Sequence, residues 1–314
     1  MSRWDIHDAT RQRQSEAQPP RPEPPSEPDS RIPAARGGAS DETHVTSPRQ
    51  FETQRYRPDA GAPERRAEHR DRGRSYSLRG SEMAALSDIG RFRTIDTADL
   101  GRYVYAGDSR RMTTDLESLR GQGLIEEKNV FRAHKKARRV VTLTDVGHRI
   151  VRKSGTLPRE QKIYHGFVKA REINHDADLY RVYQQAARKV RADGGRPLRV
   201  RLDFELKALV QREKQVVKSL PEAQQRARLA MLAERHGLVL SSTRLHVPDV
   251  QLEYETRDQE LARENLELVS ENYRNASIRG KAASGFTLYA RGNDASRVRR
   301  ALPDSHSVTR ILSI

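Results

Sequence analysis

The sequence predicts a mixed α/β protein behind a disordered N-terminal tail, and three observations carry that prediction. Prolines crowd residues 1–77, helical spacing gives way to a basic hairpin pattern over 78–155, and strands alternate with helices over 156–314. Hydrophobic residues make up 35% of the chain against 32% charged and 5% aromatic, too few to bury all 314 residues. The formal net charge is +16, from 59 Lys and Arg against 43 Asp and Glu. A polyanion is therefore the expected partner, with nucleic acid ahead of an anionic membrane surface.

Cysteine is absent, which excludes a disulfide framework and thiolate-ligated zinc and fits a reducing cytoplasm. No apolar run approaches the roughly 18 residues of a membrane span, and the N-terminus has no signal-like stretch. A cytoplasmic location without a membrane partner is expected.

The tail is expected to stay unfolded over residues 1–77. It holds ten of the fifteen prolines, including "QPPRPEPPSEP", and cannot bury enough to offset its ordering entropy. From Ser81 the spacing of Met83, Leu86, Ile89 and Phe92 predicts a helix with Ser81 as N-cap. Asp96 or Thr97 caps a second helix that Gly107 closes, and Met112, Leu116 and Leu119 mark one face of a third. "LIEEKNV" and "ARRVVTLT" read as a hairpin, and Thr144 or Asp145 caps a fourth helix.

Three helices, a hairpin and a helix are the order of a winged helix-turn-helix. The run "SLRGQGLIEEK…RRVVTLTDVGHRIV" resembles the winged-helix DNA-binding domains of bacterial regulators, which makes double-stranded DNA the expected partner. Between Lys128 and Lys153 stand nine Lys or Arg against the single Asp145. Lys128, Arg132, Lys135, Lys136, Arg138 and Arg139 are the candidate phosphate contacts of the wing. Arg110, Arg111, Thr113 and Thr114 lie near the start of the third helix, where a recognition helix faces the major groove. Arg110 and Arg111 either read guanine or grip the backbone.

Residues 158–193 read as helical with a break near Asn174, where Asp176 or Asp178 caps the second part. "LRVRLDFE" (Leu198 to Glu205) alternates like a half-buried strand, and 206–236 is helical around Pro221. "LHVPDVQLEYE" is expected to be one strand and "ARENLELVSE" the next. A short helix, "FTLYAR", another helix and "SVTRILSI" complete a mixed sheet of four or five strands. The stretch from Val247 to Glu271 carries eight Asp or Glu against two Arg, an acid concentration that a basic protein would use to hold a divalent cation.

The winged helix, "YHGFVKAREI", "VPDV", "LELVSE" and a following Lys and Tyr together resemble the replication-relaxation family of bacterial mobile elements and plasmids, from Gly80 to Ile314. The C-terminal half in turn looks like a PD-(D/E)XK restriction-endonuclease-like core, in which acids on two adjacent strands and a lysine hold a metal and activate water. The resemblance implies a DNA-binding protein acting in replication, mobilisation or regulation of a mobile element. Replication or conjugation proteins are implied as partners, and homodimerisation is compatible with it.

Carried onto this chain, the resemblance implies Asp249 and Glu267 as catalytic and metal-binding acids, with Mg²⁺ or Mn²⁺ as cofactor. It departs at Val269, where the family's strand lysine would stand. Lys281 is the candidate replacement, and Glu271 is a further ligand or orienting group. Strand alternation sets Glu267 between Leu266 and Leu268. Glu253 and Glu255 are expected on an exposed face, and Asp258, Glu260 and Glu264 at a loop or edge. The alternative is a non-enzymatic winged-helix regulator whose C-terminal domain mediates dimerisation or partner binding.

Other chemistries find no motif. No HxH or HExxH spacing occurs, His165 is expected on an apolar helical stretch, and His175, His236 and His246 are scattered. Neither a GxxxxGK[ST] loop nor a GxSxG elbow is present. Tyr273 and Tyr289 lack the three-His cluster that a strand-transfer tyrosine would need.

Overall fold

In the computed structural model, residues 65–132, 135–241, 244–271, 273–302 and the strand at 311–313 are described. Residues 1–64 of the expected tail lie outside the described residues. The end of that tail departs from expectation. Strand β1 (Ala67–Asp71) pairs antiparallel with β2 (Arg74–Leu78) across Arg72 and Gly73, whose φ values of 47° and 80° suit a two-residue hairpin turn. Tyr76 and Leu78 alternate inward into the core, and buried Asp71 takes Arg149 at 2.8 Å and Lys153 at 2.6 Å. Two inward apolar side chains and two ion pairs anchor a segment that composition alone marks as tail.

The winged-helix connectivity follows. It runs α1 (Gly80–Phe92), β3 (Ile95–Asp96), α2 (Thr97–Tyr103), α3 (Ser109–Gly121), β4 (Ile125–Arg132), β5 (Lys135–Leu143) and α4 (Asp145–Ser154), with sheet order β3-β5-β4. Ser81 does not cap α1. The Arg79 backbone N–H is held by Glu82 at 2.7 Å, while Ser81 donates to Asp115 of α3 at 2.5 Å. Asp96 caps α2 through Ala98, Asp108 caps α3 through Arg111, and Thr144 caps α4 through Gly147. Gly147 is obligatory because a Cβ there would stand 2.1 Å from the Leu124 carbonyl oxygen. Leu86, Ile89, Phe92, Leu116, Leu119, Val141 and Ile150 fill the interior, each contributing about 1.5–3 kcal/mol through burial.

Helix α5 (Ala170–Ala192) begins after a non-helical connector and has no break at Asn174, which corrects the sequence expectation. Asp178 is a buried mid-helix residue, not a cap. Arg138 reaches it at 2.9 Å and Arg291 at 2.6 Å, so tertiary ion pairs override its turn preference. Tyr180 and Tyr183 of α5 pack on Phe92 with ring centroids 5.1 and 5.0 Å apart, so one apolar core runs from Tyr76 to Tyr289.

The chain continues through β6 (Arg196–Leu202), α6 (Asp203–Val217), α7 (Glu222–His236), β7 (Val239–Ser241), β8 (Arg244–His246), β9 (Val250–Glu255) and β10 (Leu261–Val269). It ends with α8 (Asn275–Ala283), β11 (Thr287–Ala290), α9 (Gly292–Ala301) and β12 (Ile311–Ser313). The expected strand "LHVPDVQLEYE" divides, because Pro248 has no N–H for a ladder: β8 pairs with β7, and β9 joins the main sheet. The "LRVRLDFE" strand stops at Leu202, and Asp203 opens a helix. The main sheet has the order β12-β11-β10-β9-β6, with β6, β9 and β10 antiparallel in turn and β10, β11 and β12 parallel. Val269, Ile278, Phe286, Leu288 and Val298 bury α8 and α9 against the parallel half.

Candidate functional site

Sheet register brings the predicted acids together. Leu266 of β10 pairs with Val250 of β9, so the next residues outward are Glu267 and Asp249. The Asp249 N–H donates to Glu267 Oε2 at 3.3 Å, and the Leu268 N–H donates to Asp249 Oδ2 at 2.9 Å. Helix α8 returns Lys281 to the same point, where Nζ reaches Glu267 Oε2 at 3.0 Å and the Val247 carbonyl at 2.7 Å, above the Phe286 ring. Thus Lys281 does stand beside the acid whose own strand has Val269. The remaining predicted group, Glu271, lies exposed beyond β10, and among the described residues it joins none of these contacts.

Three groups that the sequence reading did not assign to the site also meet there. Tyr273 donates to Glu267 Oε1 at 2.7 Å, His175 Nε2 faces Asp249 Oδ1 at 3.8 Å, and the Asp203 N–H donates to the Asp249 carbonyl at 3.0 Å. Asp203 also pairs with Lys207 one turn along α6. The sequence signal was available in "RLDFELK", where an acid at a strand end opens a helix with a lysine four residues on.

The site is short of positive charge. Burial pushes the Asp249 carboxyl up to about 6, against the opposing Leu268 N–H and Lys281. Burial, then the charge of Asp249, pushes Glu267 up to about 7, against Lys281 and Tyr273. Desolvation opposes ionisation of Lys207, yet the Asp203 pairing and the fields of Asp249 and Glu267 raise its proton affinity. Among the described residues Asp249 Oδ1 accepts no hydrogen bond. Two elevated carboxylates with one free oxygen and a single bonded lysine fit a hard divalent cation.

The predicted DNA contacts separate into three groups. Arg110, Thr113 and Thr114 are exposed on α3, with the threonine hydroxyls bonded back to Ser109 and Arg110 carbonyls. Half-buried Arg111 turns inward to Ser81 at 3.2 Å. Exposed Lys128 lies over the Phe167 ring at 5.7 Å, and Arg139 is 43% exposed beside Glu127. Arg138 is a correction. Its side chain is buried, bonded to Asp96 at 2.6 Å and paired with Asp178, because β5 turns it toward α5 instead of solvent. The side chains of Arg132, Lys135 and Lys136 lie outside the described residues. Phe131, 80% exposed on β4, is a feature that polarity patterning missed.

Further acids and histidines depart from expectation. Glu253 is mostly buried, paired with Arg263 at 3.0 Å and Arg201 at 3.7 Å, and Glu255 pairs with Arg196 at 2.8 Å. Flanking strands supply these arginines, so the face expected to be solvated is an ion-paired seam. Glu264 is half-buried and accepts from Thr287, whereas Asp258 and Glu260 are exposed as expected. His165 sits in the connector, not on a helix.

No protein-family model matches the chain, and no curated protein matches it. Among solved structures it is similar to Bacillus subtilis PadR in complex with operator DNA, at 15% identity and a TM-score of 0.20, over 49% of this chain and 91% of that one. The description of residues 80–154 as a winged helix rests on their own helix and strand order.

Proposed function

We propose that this chain is a DNA-binding protein whose winged helix engages duplex DNA and whose main sheet carries a divalent-metal-dependent phosphodiesterase site. The observation that carries the proposal is the convergence of Asp249, Glu267 and Lys281 from a strand entry, a strand and a helix. Asp249 and Glu267 would hold Mg²⁺ or Mn²⁺. Such an ion polarises a scissile phosphate and makes water a better nucleophile at neutral pH.

The chain's own groups have distinct tasks. Lys281 places a positive charge where the phosphate becomes more negative, with the Val247 carbonyl and Phe286 fixing its position. Tyr273 orients Glu267 through Oε1. The exposed Arg110 and Arg139 supply salt-sensitive phosphate contacts. Following the family resemblance, the biological setting is replication, mobilisation or regulation of a plasmid or other mobile element.

A second reading has its own observation. Both oxygens of Glu267 already accept hydrogen bonds, from Tyr273 on one side and from Lys281 and Asp249 on the other. A self-satisfied acid belongs equally to a degenerate nuclease core retained for partner binding or dimerisation.

The test is nicking of supercoiled DNA with Mg²⁺ or Mn²⁺ by wild type, Asp249→Asn and Glu267→Gln at matched DNA occupancy. Nicking by wild type that both variants lose supports the phosphodiesterase. Equal binding without nicking by any of the three leaves the partner-binding reading.

A further inference from the structure

Away from the acidic pair, Asp145, His148 and His165 bring one ligand atom each to within 4.8 Å of one another. Asp145 and His148 share a face of α4, three residues apart, and His165 comes from the connector between α4 and α5. The two imidazole rings lie 5.0 Å apart, tilted by 46°. From this geometry we propose that the three residues form a transition-metal site for an ion of the zinc class, which clips the connector onto the winged helix.

The backbone around the ligands is already held. Tyr164 N–H donates to the Gly90 carbonyl at 2.7 Å and Gly166 N–H to the Leu143 carbonyl at 3.0 Å, so His165 is pinned on both sides. Gly166 has φ of 74°, a left-handed conformation that lets the chain turn immediately after His165. The Ile163 backbone lies beside His148, the kind of outer neighbour that orients a ligating imidazole. Thr144 and the close approach of Gly147 to Leu124 fix the start of α4.

The donor set selects the ion. Two imidazoles and one carboxylate suit Zn²⁺ better than Mg²⁺ or Ca²⁺, and three protein ligands leave one position for water. Bonds of about 2.0–2.2 Å require the ligand atoms to draw somewhat closer, which rotation of the exposed Asp145 and His165 side chains supplies. Arg149 is bonded to Asp145, but it also reaches Asp71 at 2.8 Å and so keeps a carboxylate partner when Asp145 turns to the metal.

The experiment is calorimetric titration of the untagged full chain with ZnCl₂ in excess Mg²⁺, using wild type, His148→Asn, His165→Asn and Asp249→Asn. The expected result is a Zn²⁺ site in wild type and Asp249→Asn that each histidine variant weakens at least tenfold. Circular dichroism checks that the variants are folded, and Asp145→Asn replaces any that is not. Absence of Zn²⁺ binding by wild type, or equal affinity in all folded variants, overturns the proposal.

Discussion

Two of the buried charge clusters among the described residues are balanced differently. Where the winged helix meets α5, Asp96, Asp99 and Asp178 face Arg138, Arg181 and Arg291, with the Arg181 guanidinium forked onto Asp99 at 2.9 and 3.1 Å. At the end of β10, Lys281 is the one cation among the described residues that hydrogen-bonds the Asp249–Glu267 pair. The first cluster ties together elements distant in sequence. The second leaves two carboxyls pushed up to about 6 and about 7, an arrangement that costs stability and makes sense where a cation is to be received.

The largest expected effect distinguishes the clusters by activity. Asp249→Asn and Glu267→Gln should each lower metal-dependent nicking by at least 100-fold, on the order of 3 kcal/mol, while DNA binding stays within twofold. Gel-shift and nicking assays on the same preparations check this. Arg138→Met should leave nicking chemistry intact in the folded fraction but destabilise the chain by about 3–5 kcal/mol, since it strands buried carboxylates without their partner. Urea denaturation reads that loss, and an unchanged midpoint would break the comparison.

The pH dependence sharpens the contrast. Glu267 binds its proton more tightly when folded, at about 7 against an ordinary 4.5, so raising the pH through that window removes stability. Without metal, Glu267→Gln escapes the penalty. Its stability relative to wild type should grow between about pH 4.5 and 7 and level off above, by roughly 3 kcal/mol at most. Thermal denaturation at closely spaced pH values measures this, and a flat difference would contradict the assigned environment. The smallest effect belongs to the DNA face: Arg110→Ala should reduce the slope of log affinity against log salt by about 1.

How much of this was legible follows from which residues had local signals. Asp249, Glu267 and Lys281 were legible through the family resemblance, while local pattern supplied only the acid-rich run and the setting of Glu267 between Leu266 and Leu268. The Tyr273 contact depends on how the chain turns back after β10, which no local pattern encodes, whereas "RLDFELK" carries a local signal for Asp203. Arg138 was misassigned for a related reason. In "RRVV" both arginines read as wing charges, and Asp96 and Asp178, which the sequence offers as helix caps, make one of them interior. The hairpin at 67–78 was missed because its two inward residues, Tyr76 and Leu78, are too few to stand out among arginines.

The most direct measurement of the central claim is Mn²⁺ binding followed by electron paramagnetic resonance, in the presence of duplex DNA, for wild type, Asp249→Asn, Glu267→Gln and Arg138→Met. The account predicts that the site is lost in the first two variants and kept in folded Arg138→Met. Equal Mn²⁺ binding in wild type, Asp249→Asn and Glu267→Gln, or no binding by wild type, would contradict it.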